Sequence, residues 1–310
     1  MNVKIGFIGL GTMGASMALN LRKAGYELVV NDARRAAAAA HLAAGCVWAD
    51  SAGAVARASD IIFTSLPGPK EVESVALGED GLLAGMRRGT AWFDLSTNSP
   101  TLIRSLHERF AQKGVAVLDA PVSGGPTGAA SGKLALWIGG ARDEFDRYKT
   151  VLDAIGDQAI YIGPIGAGSV AKLVHNCAGY AIQTALAEVF TLGVKAGVEP
   201  LALWQAVRQG AFGRARTFDR LADQFLPGVY EPPSFALRLA HKDVTLATEL
   251  ARELNVPMRL AMLVHAEMTE ALNRGWGHLD SRSPMLLQQE RAAVNISVPP
   301  QEIAEALKNT

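Results

Sequence analysis

The sequence predicts an α/β protein, a doubly wound and mostly parallel sheet followed by an all-helical C-terminal domain. Three observations carry that prediction. Short apolar runs alternate with helical patterns over the first half, and a glycine-rich turn joins the first run to the first helix. After a breaker-rich segment at 163–168, no convincing strand follows. At 310 residues the chain exceeds what one hydrophobic core usually sustains, which agrees with two domains.

Strands are expected at 3–8, 27–31, 61–66, 90–95, 115–119, 134–138 and 159–162. Each run is rich in Val, Ile, Leu or Phe and bounded by Gly, Pro, Asp or Ser. Near-continuous apolar strands of this kind belong in a sheet covered on both faces. Helical patterns lie between them, for example at 13–24, 51–58 and 101–113; the alanine run at 36–40 is simply a strong helix former. Gly163-Pro164-Ile165-Gly166-Ala167-Gly168 reads as a hinge, placing one domain at 1–165 and a second at 166–310. Segment 169–196 reads as one long spine helix, with Ser169 near its N-cap and Gly197 breaking it. Further helices are expected at 201–209, 215–225, 235–254, 258–273 and 284–293, with a loop at 228–233.

Composition narrows the function. Thirty basic side chains against thirty acidic ones argue against a general nucleic-acid binder. A hydrophobic content of 49%, with 31 Gly and 14 Pro, excludes a disordered or collagen-like chain. Cys46 and Cys177 are solitary and far apart, so neither a disulfide framework nor a zinc cluster is expected, and a cytoplasmic location fits them. The six histidines lack metal-ligand spacing, and no metal is expected. The apolar start at 5–19, behind Lys4, has the hydropathy of a signal peptide, but its glycines carry a different meaning. No membrane span is expected, since even 169–198 includes Lys172, His175, Asn176, Glu188 and Lys195.

Gly9-Leu10-Gly11-Thr12-Met13-Gly14 follows the first strand and opens the first helix. In a Rossmann-type turn Gly9 permits the tight bend, Gly11 admits a pyrophosphate to the backbone, and Gly14 lets helix and strand pack closely. The helix N-terminus offers N–H groups to the phosphates. Asn31-Asp32 ends the next strand, and Asp32, 18 residues after Gly14, is placed to accept the adenosine ribose hydroxyls. Its charge favours NAD over NADP, although Arg34 and Arg35 keep NADP open.

In an open α/β sheet, ligands lie beyond the carboxyl ends of the strands. Loops there carry Leu66-Pro67-Gly68-Pro69, Ser96-Thr97 and Asp119-Ala120-Pro121-Val122-Ser123-Gly124-Gly125-Pro126. A hydroxyl followed by two glycines exposes successive N–H groups, a cradle for a carboxylate, although each loop alone also reads as ordinary punctuation. Lys172 shares a helix face with His175 and Asn176. An amine desolvated in a cleft between domains has a lowered pKa and can shuttle a proton, with the Asn176 amide orienting substrate. A plain surface lysine is the alternative. His175, inside an apolar helix, reads rather as a packed residue, and Lys242-Asp243 as a helical ion pair without a role.

Together these residues resemble the β-hydroxyacid dehydrogenase family, the group of 3-hydroxyisobutyrate dehydrogenase and tartronate semialdehyde reductase. The segment from Ile5 to Gly14, with Asn20-Leu21, looks like its cofactor signature. Asp119 to Gly125 looks like its substrate motif, Gly166 to Lys172 with Asn176 like its catalytic segment, and Lys242-Asp243 like its cofactor-closing motif. The resemblance spans the chain to about Ser281. It implies Lys172 as general acid/base, with Ser123, Gly124, Gly125 and Asn176 holding the substrate. It implies cofactor contacts from Leu66, Pro67, Thr97 and Lys242, and association into homodimers or homotetramers. The implied substrate is a small carboxylate-bearing hydroxyacid or semialdehyde. Glu71 departs from the pattern, standing where the 3-hydroxyisobutyrate enzymes tend to carry a cofactor-contacting asparagine. Arg214, Arg216 and Arg282 fall near segments expected to border the pocket, where one could pair with a second anionic group. Alternatives on the same scaffold are imine reduction, whose enzymes usually replace the lysine, and a non-catalytic dinucleotide sensor.

Overall fold

The computed structural model describes residues 3–214, 219–253, 255–293 and 295–308. Among them the seven apolar runs, with two short unexpected strands at 47–48 and 122–123, form one sheet: β1 (Lys4–Ile8), β2 (Glu27–Asn31), β3 (Val47–Trp48), β4 (Ile61–Thr64), β5 (Ala91–Asp94), β6 (Ala116–Asp119), β7 (Val122–Ser123), β8 (Ala135–Gly139) and β9 (Gln158–Gly163). The first six are parallel, in the order β3-β2-β1-β4-β5-β6. β7 then pairs antiparallel with β8, and β9 runs parallel to β8. The chain leaves β1 for β2 on one side and later returns to β4 on the other. That reversal is the switch point at which such sheets open a crevice.

Strand periodicity divides the core into two layers. Phe7, Ile61, Phe63 and Phe93 face one way, packing with Met17 and Leu21 of the helix Gly14–Lys23. Ile8, Ile62 and Trp92 face the other, against Val55, Ile103 and Phe110. Parallel register sets Phe7 beside Phe63 and Phe63 beside Phe93, with ring centroids 6.2 and 5.6 Å apart. Each buried ring contributes about 2–3 kcal/mol, so this stripe ties neighbouring strands together. Helix starts follow local chemistry. Ser51 Oγ accepts the Ala54 N–H at 3.0 Å to cap Ala52–Ala58, and Ser99 with Pro100 opens Pro100–Ala111.

The chain divides into two compact units, Met1–Ala178 and Gly179–Thr310. The expected spine helix is present as Ala167–Lys195, beginning in the first unit and continuing into the second. Among the described residues the second unit is helical, with main helices Pro200–Gln209, Leu237–Glu253, Arg259–Asn273, Met285–Arg291 and Pro300–Lys308. Leu192 packs there with Ala251 and Met258, and Leu237 with Ala271 and Leu287. No helix among the described residues is long and apolar enough to cross a membrane.

The expected helix at 215–225 is corrected. Residues 215–218 lie outside the described residues, and only a 3-10 turn, Asp219–Ala222, forms in the remainder. Its successors Asp223 and Gln224 both reach Arg282, at 3.6 and 2.6 Å. Adjacent residues on an α-helix point about 100° apart, so this tertiary contact favours irregular backbone. The same contact revises Arg282. Its guanidinium also lies 2.9 Å from the fully buried Asp280 carboxylate, so it serves the helical unit's own structure rather than a second anion. Arg214 ends the short helix Ala211–Arg214 in an exposed position, and Arg216 lies outside the described residues.

Asp280 holds this corner of the second unit. One oxygen accepts from the Ser234 N–H and hydroxyl at 2.9 and 2.8 Å, and the other from the Arg282 N–H at 3.0 Å. Burial alone would push its carboxyl up, but the hydrogen bonds from Ser234, Arg282 and Phe235 outweigh it and hold the pKa below the ordinary 3.8. Such a carboxylate gives stability that is complete above its ordinary value and lost as pH falls through the depressed one. Asp280→Asn removes the buried partner of the Arg282 cation, leaving it Asp223 at 3.6 Å, and should cost about 2–4 kcal/mol in urea unfolding. It should also flatten the loss of stability in acid, below about pH 4, when unfolding is followed by circular dichroism.

Candidate functional site

The glycine turn after β1 is shaped by three different demands. Gly9 has φ +94°, and a Cβ on it would stand 2.2 Å from the Ser65 carbonyl oxygen. A Cβ on Gly14 would stand 1.9 Å from the Gly9 carbonyl oxygen, so the helix could not approach the strand. Gly11 has no neighbour within 4 Å of the corresponding point. The first two glycines are required by the fold; the third leaves free backbone facing a cavity.

That cavity holds about 750 Å³, within the range of small-molecule sites. Of the residues expected to contact a cofactor, it brings together Gly9, Gly11, Thr12, Met13 and Gly14 with Asn31, Asp32, Leu66 and Pro67. Arg34 and Glu71 line it too. Leu10 does not; its side chain is buried and its N–H donates to Asp32 Oδ2 at 2.7 Å. Asp32 Oδ1 accepts the Arg34 N–H at 2.8 Å, so the carboxylate braces the turn from both oxygens. A carboxylate retains further lone pairs for ribose hydroxyls. Arg35 is drawn aside, 3.8 Å from Asp50 with its guanidinium over the Trp48 ring. The Asn31 amide donates to the Ala49 carbonyl at 2.8 Å. An open glycine, a bracing acid and a cavity of this size at the switch point fit a dinucleotide.

Two buried networks hold the adjoining loops. Asp94, which ends β5, accepts from Thr64 Oγ1 at 2.8 Å, the Ser96 N–H at 3.1 Å and Asn98 Nδ2 at 2.8 Å. Burial pushes its carboxyl up, against the hydrogen bonds from Ser96, Asn98 and Thr64. Ser96 Oγ accepts the Leu66 N–H at 2.9 Å, tying the β4 loop to the β5 loop. Thr97 stands exposed at the tip of that loop, outside the cavity wall. The Lys242 side chain lies outside the described residues; its backbone belongs to Leu237–Glu253.

The second network places Lys172. Asp119, ending β6, accepts the Gly166 N–H at 2.7 Å and the Ser169 N–H at 2.6 Å, at the start of the long helix. A Cβ on Gly168 would sit 2.1 Å from the Trp137 carbonyl oxygen, so the helix starts directly against β8. One turn later Lys172 Nζ donates to the Val122 carbonyl at 2.7 Å and lies 6.0 Å from the centre of the Trp137 ring. Burial pushes its pKa down. The next residues are Ser123, Gly124 at φ +134° and Gly125 at φ +61°, opening the helix Gly125–Ser131. Helix starts leave N–H groups without internal acceptors, so such donors stand close to the lysine. The half-buried Asn176 lies one turn further on. His175 is corrected: it is exposed, its ring 5.2 Å from Trp137 and its Nδ1 3.1 Å from Asn176 Oδ1. Sequence reasoning gave no role to Trp137 or to Asp94. Nothing local marks the former, while the latter's place at a strand's carboxyl end was an available signal.

Residues 4–163 match the family model described as the NAD binding domain of 6-phosphogluconate dehydrogenase. Residues 166–287 match that described as the NAD-binding of NADP-dependent 3-hydroxyisobutyrate dehydrogenase. Over 296 residues the chain is 35% identical to 2-(hydroxymethyl)glutarate dehydrogenase of Eubacterium barkeri, covering 96% of this chain and 98% of that one. The solved structure of Mycobacterium tuberculosis 3-hydroxyisobutyrate dehydrogenase with L-serine matches at TM-score 0.65 and 29% identity, over 93% of this chain and all of that one. An imine reductase from Pseudomonas sp. matches at TM-score 0.79 but 19% identity, over 92% and 99% of the two chains, which shows the fold alone.

Because no protein atom requires glycine at position 11, Gly11→Ala should leave the urea midpoint unchanged. The added methyl would meet only the ligand, so dinucleotide affinity should fall about tenfold or more by fluorescence titration.

Proposed function

The chain belongs to the β-hydroxyacid dehydrogenase family, as an NAD(P)-dependent hydroxyacid dehydrogenase, and from that premise we propose the chemistry of its site. The reaction interconverts a small 3-hydroxyacid and its semialdehyde or ketone, with Lys172 as general acid/base. The observation that carries this reading is the half-buried Lys172 amine, 2.7 Å from the carbonyl that immediately precedes Ser123-Gly124-Gly125. The substrate carboxylate rests on the N–H groups of that segment, and Asn176 orients the hydroxyl. The turn from Gly9 to Gly14, with Asp32, Leu66 and Pro67, would hold the cofactor, which would supply the hydride acceptor or donor. Lys172, neutral at the start of oxidation, takes the hydroxyl proton onto Nζ and gives it back in reduction. The adjoining Trp137 ring keeps water from the amine and so helps to hold its pKa down. The intact lysine and the two glycines argue against imine reduction.

Residues 1–165 serve as the cofactor domain and 166–310 as the substrate and dimerisation domain. NAD is the preferred cofactor, since the Asp32 carboxylate would repel a 2′-phosphate, while Arg34 at the cavity wall leaves NADP acceptable. A homodimer or homotetramer is supported by exposed apolar side chains on the second unit, among them Val189, Trp204, Val207 and Phe212. Cytoplasmic residence suits the free, buried thiol of Cys46.

The test is a substrate panel run with NAD and NADP in parallel, spanning 3-hydroxyisobutyrate, glycerate, serine, threonate and sulfonated or phosphorylated analogues. Turnover of at least one 3-hydroxyacid is expected; dinucleotide binding without any turnover would leave only a sensor. Lys172→Ala should lower kcat about 10²–10⁴-fold with cofactor binding intact. A lowered lysine pKa means that the neutral base appears at lower pH. Oxidation should therefore rise with pH through a midpoint below the ordinary lysine value, and that limb should vanish in the variant.

A further inference from the structure

The cofactor cavity occupies the carboxyl ends of the parallel strands. A second cavity, of about 330 Å³, lies at their amino ends. Val3, Asp60 and Thr90, each immediately preceding β1, β4 or β5, contribute to its wall. A strand of five residues separates the two sites by about 15 Å or more. The wall carries three guanidinium groups, from Arg87, Arg88 and Arg147, against the single carboxylate of Asp60.

That carboxylate is already committed. One oxygen lies 2.5 Å from the Arg87 guanidinium and the other accepts the Lys4 N–H at 3.1 Å. Arg87 also donates to the Arg57 carbonyl at 3.2 Å, so it is fixed in place. Arg147 has only a loose partner, Glu144 at 3.5 Å, and lies 5.0 Å from the Tyr148 ring centre. Arg88 rests its stem over Gly114, and no acceptor among the described residues engages its guanidinium. Tyr148 supplies the independent observation. It is 3% exposed and packs edge-on against Phe93 at 5.9 Å, yet it lines this cavity with no hydrogen-bond partner for its hydroxyl among the described residues. Burial pushes the phenol up, so it remains a donor. A tyrosine whose hydroxyl has no protein partner and an unspent arginine, lining the same space, suit one acceptor-rich ligand.

We propose that this cavity binds a phosphate-type oxyanion, free or carried on a small metabolite. Arg88 and Arg147 are its charged donors, Arg87 is a third donor fixed by Asp60, and the Tyr148 hydroxyl is a neutral donor. Guanidinium forks match phosphate oxygens in pairs, and a phenol adds a directed hydrogen bond without further charge. The cavity is larger than one phosphate group needs, which favours pyrophosphate or a phosphorylated carbon skeleton over inorganic phosphate.

The test uses enzyme saturated with dinucleotide, so that the Gly9–Gly14 turn cannot take the probe. Sodium pyrophosphate, and inorganic phosphate in a parallel arm, are titrated calorimetrically at physiological salt. The expected result is one saturable site in which pyrophosphate binds more tightly than phosphate. Arg88→Ala and Arg147→Ala should each weaken it about tenfold or more, and Tyr148→Phe several-fold. Arg88→Ala, on the surface and outside the hydroxyacid site, should keep its melting temperature and its basal turnover. Absence of saturable binding in the wild-type enzyme, or unchanged affinity in both arginine variants, overturns the proposal.

Discussion

The carboxylate of Asp119 is the joint on which the placement of Lys172 depends. It terminates β6, is almost wholly buried, and spends its two oxygens on the N–H groups of Gly166 and Ser169. Those donors lie just before and within the first turn of the 29-residue helix Ala167–Lys195, where no intrahelical acceptor exists and the dipole favours a negative charge. One side chain thereby fixes both the position and the direction of the helix on the sheet. Gly168, pressed against the Trp137 carbonyl, removes the remaining slack. Lys172 then has no freedom to miss the Val122 carbonyl. Catalysis tolerates little error of this kind, since displacements near 1 Å can cost about a hundredfold.

Three strands use the same device at their carboxyl ends. Asp32 after β2, Asp94 in β5 and Asp119 in β6 each accept backbone N–H groups from the loop that follows or from a neighbouring segment. Parallel strands deliver their last residues to one edge of the sheet, and loops there carry unpaired amides. A short acid at that point satisfies several amides at once and leaves no flexible stem. The loops at that edge are therefore tied to the sheet by hydrogen bonds.

Legibility from sequence followed the range of the interaction. Gly14 was readable because its demand is settled within a few residues, against the Gly9 carbonyl. The strands were readable because burial on both faces leaves near-continuous apolar runs. The partner of Lys172 was not, since it lies 50 residues away and its carbonyl has no sequence signature. His175 was misread as packed because an apolar helix does not declare which stripe meets the sheet; the ring stands exposed beside Trp137. The segment near 219–225 follows the same logic. Helical composition was present, and Arg282, some 60 residues on, pulled its side chains into another arrangement.

Asp32 joins two properties that engineers and natural selection usually treat as separate. The carboxylate expected to discriminate between dinucleotides also clamps the N–H groups of Leu10 and Arg34. Exchanging it for a residue with no side-chain acceptor would remove the brace from the glycine turn. Charge and bracing at this position are therefore coupled through one side chain. A substitution there that keeps an acceptor for the Leu10 amide changes the charge and spares the turn, whereas one that lacks it changes both.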